Sequence, residues 1–209
     1  NEGVRMEHRI DASSVQVERF EDLTLSDNFM FCKIFTSHPH LCRKLVEVIL
    51  GRRVKRIVIL NKEQDINTAA GARSIRMDVY LEDDTTVYDF EMQINSYRNL
   101  PKRSRYYQGI MDVDNLDKGI DYGKLKNTYI VFICLHDPFG LGLPVYTFRN
   151  VCRERMSLEL GDGAWKVFLN ASARVRRKRE LDLFLRYLSG KLNLEEIQKS
   201  GFVRELGKR

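Results

Sequence analysis

Two neighbouring stretches hold most of the chemistry this sequence could perform. In Thr86–Ile94, Tyr88, Phe90, Met92 and Ile94 share one parity, while Val87, Asp89, Glu91 and Gln93 share the other. That alternation predicts a strand with one apolar and one polar face. Just upstream, Met77, Val79 and Leu81 alternate with Arg76, Asp78 and Tyr80. The polar residues Glu82–Thr85 between the two runs suit a hairpin turn. A two-residue turn at 84 and 85 pairs 83 with 86 and so places Asp78 opposite Glu91. Opposed side chains lie roughly 5 Å apart, so two carboxylates and the Gln93 amide would converge.

Two anions that close repel by about 3 kcal/mol at an effective dielectric near 20. They need a proton, a cation or an arginine between them. A hard divalent cation that keeps some of its water answers that need. A solvated hairpin whose acids face water fits the same alternation. Downstream, Pro101 opens a predicted helix to about Leu116. On it Arg103 and Tyr107 share a face, as do Lys102 and Tyr106. A base and a phenol one turn apart could grip a phosphate or a metal-bound water. Alternatively, one tyrosine packs inward while Arg103 and Lys102 reach solvent.

These residues carry a family resemblance. Arg76-x-Asp78-Val-Tyr, then Asp89-Phe-Glu91-Met-Gln93, then Lys102-Arg103-x-x-Tyr106-Tyr107 resembles the PD-(D/E)XK nuclease superfamily. Within it the closest resemblance is to the bacterial Rpn branch of recombination-promoting nucleases and transposase-like proteins. It runs from Leu23 to about Leu188. It implies a restriction-endonuclease-like α/β fold and metal-dependent endonucleolytic cleavage of DNA, in recombination or mobile-element biology. Asp78 and Glu91 would hold Mg²⁺, with Mn²⁺ or Ca²⁺ able to substitute, and the Met92 carbonyl and Glu63 are further candidate ligands. Glu63 reads equally as a loop carboxylate. The superfamily usually carries Lys where this chain has Gln93, although Gln is typical of the branch. A neutral amide cannot supply the positive charge, so Gln93 would orient water, with Arg103 and Tyr107 completing the catalytic set. A module that keeps the nuclease shape but only binds nucleic acid is the alternative.

The rest of the chain must position these groups. Its 209 residues suit one large domain or one domain with an appendage, and 35 basic against 29 acidic residues leave a net charge of +6. That balance permits a polyanionic partner without requiring one. Ser26 and Asp27 are capping residue types ahead of a short aromatic helix at 29–35, and a second amphipathic helix runs from Pro39 to a Gly51 cap. Strands are expected at 56–60, 145–148 and 165–169, and Thr128–Leu135 reads as the apolar central strand. Residues 1–20 are expected to form a loose arm, 21–170 the nuclease-like domain, and 171–209 a basic linker and helical segment with a helix at 181–188 and another beyond Leu192. Arg52, Arg53 and Lys55 form one basic run and Arg174, Arg176, Arg177, Lys178 and Arg179 another. With Lys102 they are candidate DNA contacts, although such runs also serve as solvated faces.

No apolar run is long enough to span a bilayer, Asn1–His8 has no signal core, and no nucleotide-binding fingerprint surrounds Gly140-Leu-Gly142. Four cysteines without a C-x-x-C pair predict a reduced, cytoplasmic protein. His136–Asp137 reads as a loop pair. A homodimer would help an enzyme cut both strands.

Overall fold

The computed structural model describes residues 24–60, 75, 77–174 and 179–208. The expected N-terminal arm, Glu63, and Arg176, Arg177 and Lys178 of the second basic run lie outside them. Asp27 caps α1 (Asn28–Ser37), its carboxylate accepting the Phe29 and Met30 amides. Pro39 opens α2 (Pro39–Leu50), which Gly51 closes at φ 65°, a left-handed cap that glycine adopts without steric cost.

Six strands follow: β1 (Val58–Ile59), β2 (Val79–Glu82), β3 (Thr86–Gln93), β4 (Asn127–Cys134), β5 (Val145–Phe148) and β6 (Ala164–Asn170). They form one mixed sheet in the order β1-β2-β3-β4-β6-β5. β3, β4 and β6 run parallel at its centre, and the outer pairings are antiparallel. β1 is shorter than the five residues its sequence suggests.

Parity decides which core each strand residue enters. Val79, Leu81, Tyr88, Phe90, Met92, Val131, Ile133, Val167 and Leu169 face a core shared with α1, α2, α4 (Glu180–Leu188) and α6 (Gly201–Leu206). Tyr80, Val87, Ile130, Phe132, Cys134 and Phe168 face the other side, where α3 (Leu100–Asp114) supplies Leu100, Tyr107, Ile110 and Met111. β4 is buried on both faces, as its apolar run requires.

β3 departs from the half-solvated reading, because all eight of its residues are buried. The crossover from β3 through α3 to β4 lays a helix over its polar face, so Asp89, Glu91 and Gln93 sit inside the protein. Beyond Leu192 the chain forms two helices rather than one. Asn193 closes a capping box on α5 (Leu194–Lys199), and Ser200 interrupts the path and caps α6. Phe202, Val203 and Leu206 pack into the α1–α2 core. Asp137 gathers the amides of Phe139, Gly140 and Gly142 and the Tyr146 hydroxyl, organising its own loop. No helix among the described residues is long and apolar enough to cross a membrane.

Candidate active site

The hairpin register is the one its short turn dictates. Val79 pairs with Phe90 and Tyr80 with Asp89, and the Asp83 amide donates to the Thr86 carbonyl at 2.8 Å. Continued by one residue, that register brings Asp78 beside Glu91. The strand ends are stitched reciprocally. The Asp78 amide donates to Glu91 Oε1 at 3.1 Å, and the Met92 amide donates to Asp78 Oδ2 at 3.0 Å. From the start of α1, Asn28 Nδ2 donates to Asp78 Oδ1 at 3.2 Å. Side chains here continue the ladder where backbone pairing ends.

α3 delivers the cation. Arg103 Nη2 lies 2.8 Å from Glu91 Oε2, Nη1 donates to Gln93 Oε1 at 2.9 Å, and Nε and Nη2 reach the Tyr107 hydroxyl at 3.2 and 3.1 Å. Its guanidinium also lies over the rings of Tyr107 and Phe132. The expected i, i+4 pair therefore acts as one unit, with Tyr107 buried and Arg103 turned inward. Gln93 Nε2 donates to the Met92 carbonyl at 2.8 Å, so both ends of that amide are engaged. Lys102 and Tyr106, on the neighbouring face, are exposed.

Burial dominates the electrostatics. It pushes Glu91 well above the usual carboxylate range, the charges of Asp89 and Asp78 push it further, and Arg103 pulls back. Asp89 is pushed up in the same way, first by burial and then by Asp78. Tyr107 rises to about 12, through burial and the Glu91 charge, and so stays a neutral phenol. Burial would lower Arg103, but Tyr107 and Glu91 outweigh it and keep the guanidinium charged.

The donor set suits a hard divalent cation, since Asp78, Glu91 and the Met92 carbonyl all offer oxygen. A second observation agrees: Asp89 is fully buried, and neither carboxylate oxygen has a hydrogen-bond partner among the described residues. No three His, Cys, Asp or Glu side chains among those residues meet closely enough to hold an ion directly.

The candidate DNA contacts lie elsewhere. Arg52 pairs with Asp83 at 3.6 Å, donates to the Tyr88 hydroxyl and covers the rings of Tyr88 and Tyr129, pinning the hairpin turn. Arg53 and Lys55 are exposed beside it. Arg179 lines a cavity of about 580 Å³ together with Leu50 and Gly51, which brings the end of the second basic run towards the first. Asn28 and Asp89 are the site residues that sequence reasoning missed. Asn28 joins from 50 positions away, whereas Asp89 carried a legible signal, its shared parity with Glu91.

A mixed sheet flanked by helices, with paired acids at the end of its hairpin, defines a nuclease-like protein of restriction-endonuclease-like fold. A family model described as PD-(D/E)XK nuclease family transposase matches residues 26–141, more than half of the chain, and the protein belongs to that family. Searches of curated proteins and of solved structures gave no match.

Proposed function

We propose that the protein is a metal-dependent endonuclease that hydrolyses phosphodiester bonds in DNA, in the service of recombination or a mobile element. The observation that carries this reading is the convergence of Asp78 and Glu91, tied amide to carboxylate across the β2–β3 hairpin. Glu91 is buried and Asp78 half-buried, and two acids set this close need a proton or a cation between them.

Asp78 and Glu91 would hold Mg²⁺, with Mn²⁺ or Ca²⁺ as substitutes and the Met92 carbonyl as a further oxygen. Glu63 remains a candidate on sequence grounds. A bound divalent ion polarises a scissile phosphate and lowers the pKa of the attacking water. Gln93 orients that water once its amide exchanges Arg103 or Met92 for it. Arg103 neutralises phosphate charge as it builds, and Tyr107, held neutral, keeps the guanidinium in place. Arg53, Lys55 and Lys102 are exposed and free to meet phosphates, and Arg174 and Arg179 extend that role to the second run. Arg52 holds the turn that carries the strands. Four free cysteines suit a reducing, cytoplasmic setting, and a homodimer would allow both strands to be cut.

Nicking of supercoiled plasmid with Mg²⁺, with and without chelator, tests the reading. Chelator-sensitive conversion to open circles is expected, and none at any metal concentration refutes it. One observation favours a second reading: Arg103 already occupies Glu91 and Gln93, as a module that binds DNA without cutting would allow. Such a module retards DNA equally with and without chelator and never nicks it.

A further inference from the structure

β3 carries an acid that the proposed cleavage does not use. Asp89 has no exposed surface, and neither of its oxygens has a hydrogen-bond partner among the described residues. Its neighbours are served. Glu91 accepts the Asp78 amide and pairs with Arg103, and Asp78 accepts the Met92 amide and Asn28. Every nitrogen that Arg103 commits goes to Glu91, Gln93 or Tyr107. A buried ionised carboxylate without a partner is among the costliest groups a core can contain.

Its position says what would satisfy it. Asp89 is two residues before Glu91 and shares its face, under α3. It stands opposite Tyr80 on β2 and beside Ile130 on β4. We propose that Asp89 is a third carboxylate of the divalent-cation site, set behind Asp78 and Glu91 and hydrogen-bonded to the ion's retained water. This rests on the reading of Asp78 and Glu91 as ion ligands. Mg²⁺ keeps several waters when one or two carboxylates bind it, and those waters donate while a carboxylate only accepts. The outer position also agrees with the side-chain spacing, since the three acids do not close on one point. Fixed behind the ion by the sheet, Asp89 would raise affinity without occupying a coordination position needed by phosphate.

The test is calorimetric titration of the full chain with Ca²⁺ and with Mg²⁺, comparing wild type, Asp89→Asn and Glu91→Gln. Each is checked by circular dichroism and by melting with and without Ca²⁺. Outer-shell partners typically contribute 10- to 100-fold to metal affinity, so Asp89→Asn is expected to weaken binding about tenfold or more. It should melt above wild type without metal and gain less from Ca²⁺. Asp89→Ser is read in its place if the asparagine variant does not fold. An Asp89 variant that binds within about twofold of wild type, while Glu91→Gln loses binding, overturns this proposal and leaves the two-acid site standing. Wild type that binds neither ion overturns both.

Discussion

The two ends of one hairpin each set an acid against an arginine and a tyrosine. At the turn, Asp83 meets Arg52 and Tyr88; at the open end, Glu91 meets Arg103 with Tyr107 behind it. The outcomes are opposite. Burial would raise Asp83, but the Tyr88 hydroxyl at 2.5 Å, the Thr85 amide and Arg52 outweigh it and hold the acid below its usual range. Glu91 is buried more deeply beside Asp78 and Asp89, and one arginine does not offset them. An acid, an arginine and a tyrosine make a clamp where the acid's needs are met. Where acids outnumber their partners, the same set leaves carboxylate charge unmet, as the proposed ion site requires.

The largest difference between the two ends should be in catalysis. Asp78→Asn or Glu91→Gln is expected to bring plasmid nicking below detection, because each would remove a proposed ion ligand. Asp83→Asn should cut at nearly the wild-type rate. Equal loss from all three would reduce the active site to a consequence of hairpin stability. Gln93→Ala should slow single-turnover cleavage by about 10²- to 10³-fold, the scale for one positioned polar group. Ca²⁺ affinity should hold in that variant, and a wild-type rate at saturating metal would remove Gln93 from the mechanism.

Stability sharpens the contrast through its sign. Glu91 and Asp89 have raised folded pKa values, so without metal the folded state binds more protons than the unfolded chain. Their contribution is intact below the ordinary carboxylate range and lost as pH rises through the folded values. Asp83 is lowered, so its contribution is present above that range and lost as pH falls. Melting without metal across pH 4–8 should therefore show Asp89→Asn removing a loss towards neutral pH. Asp83→Asn should remove stability at neutral pH, about 1.5 kcal/mol, the low end for a charged hydrogen bond because Asp83 is only partly buried. Identical pH profiles would erase the distinction.

The smallest effect concerns DNA affinity. Removing Arg53 or Lys55 should reduce the slope of log K against log salt by about one unit each. Arg52→Ala should lower the melting temperature instead. Replacing Arg174, Arg176, Arg177, Lys178 and Arg179 together should flatten the slope if that run lies along phosphates; an unchanged slope makes it a solvated face.

What the sequence made legible was local. A two-residue turn between alternating runs fixes register, and register alone brings Asp78 to Glu91. The i, i+4 rule likewise puts Arg103 and Tyr107 on one face. Burial of the polar face was not legible, because alternation shows that two faces differ but not that α3 will cover the polar one. That hid the significance of Asp89. Asn28 and the Arg52–Asp83 pair depend on packing between distant segments, and no spacing encodes them. The Ser200 break carried a capping residue, yet the charged composition on both sides of it read as one helix.

The reciprocal bonds between strand ends give the site a voice of its own. The Asp78 amide donates to Glu91 and the Met92 amide to Asp78, so those two protons feel any change in carboxylate charge. Their hydrogen-exchange rates and NMR shifts would register ion loading in the resting protein, with no substrate present. The proposed ion site can thus be titrated by listening to two amides.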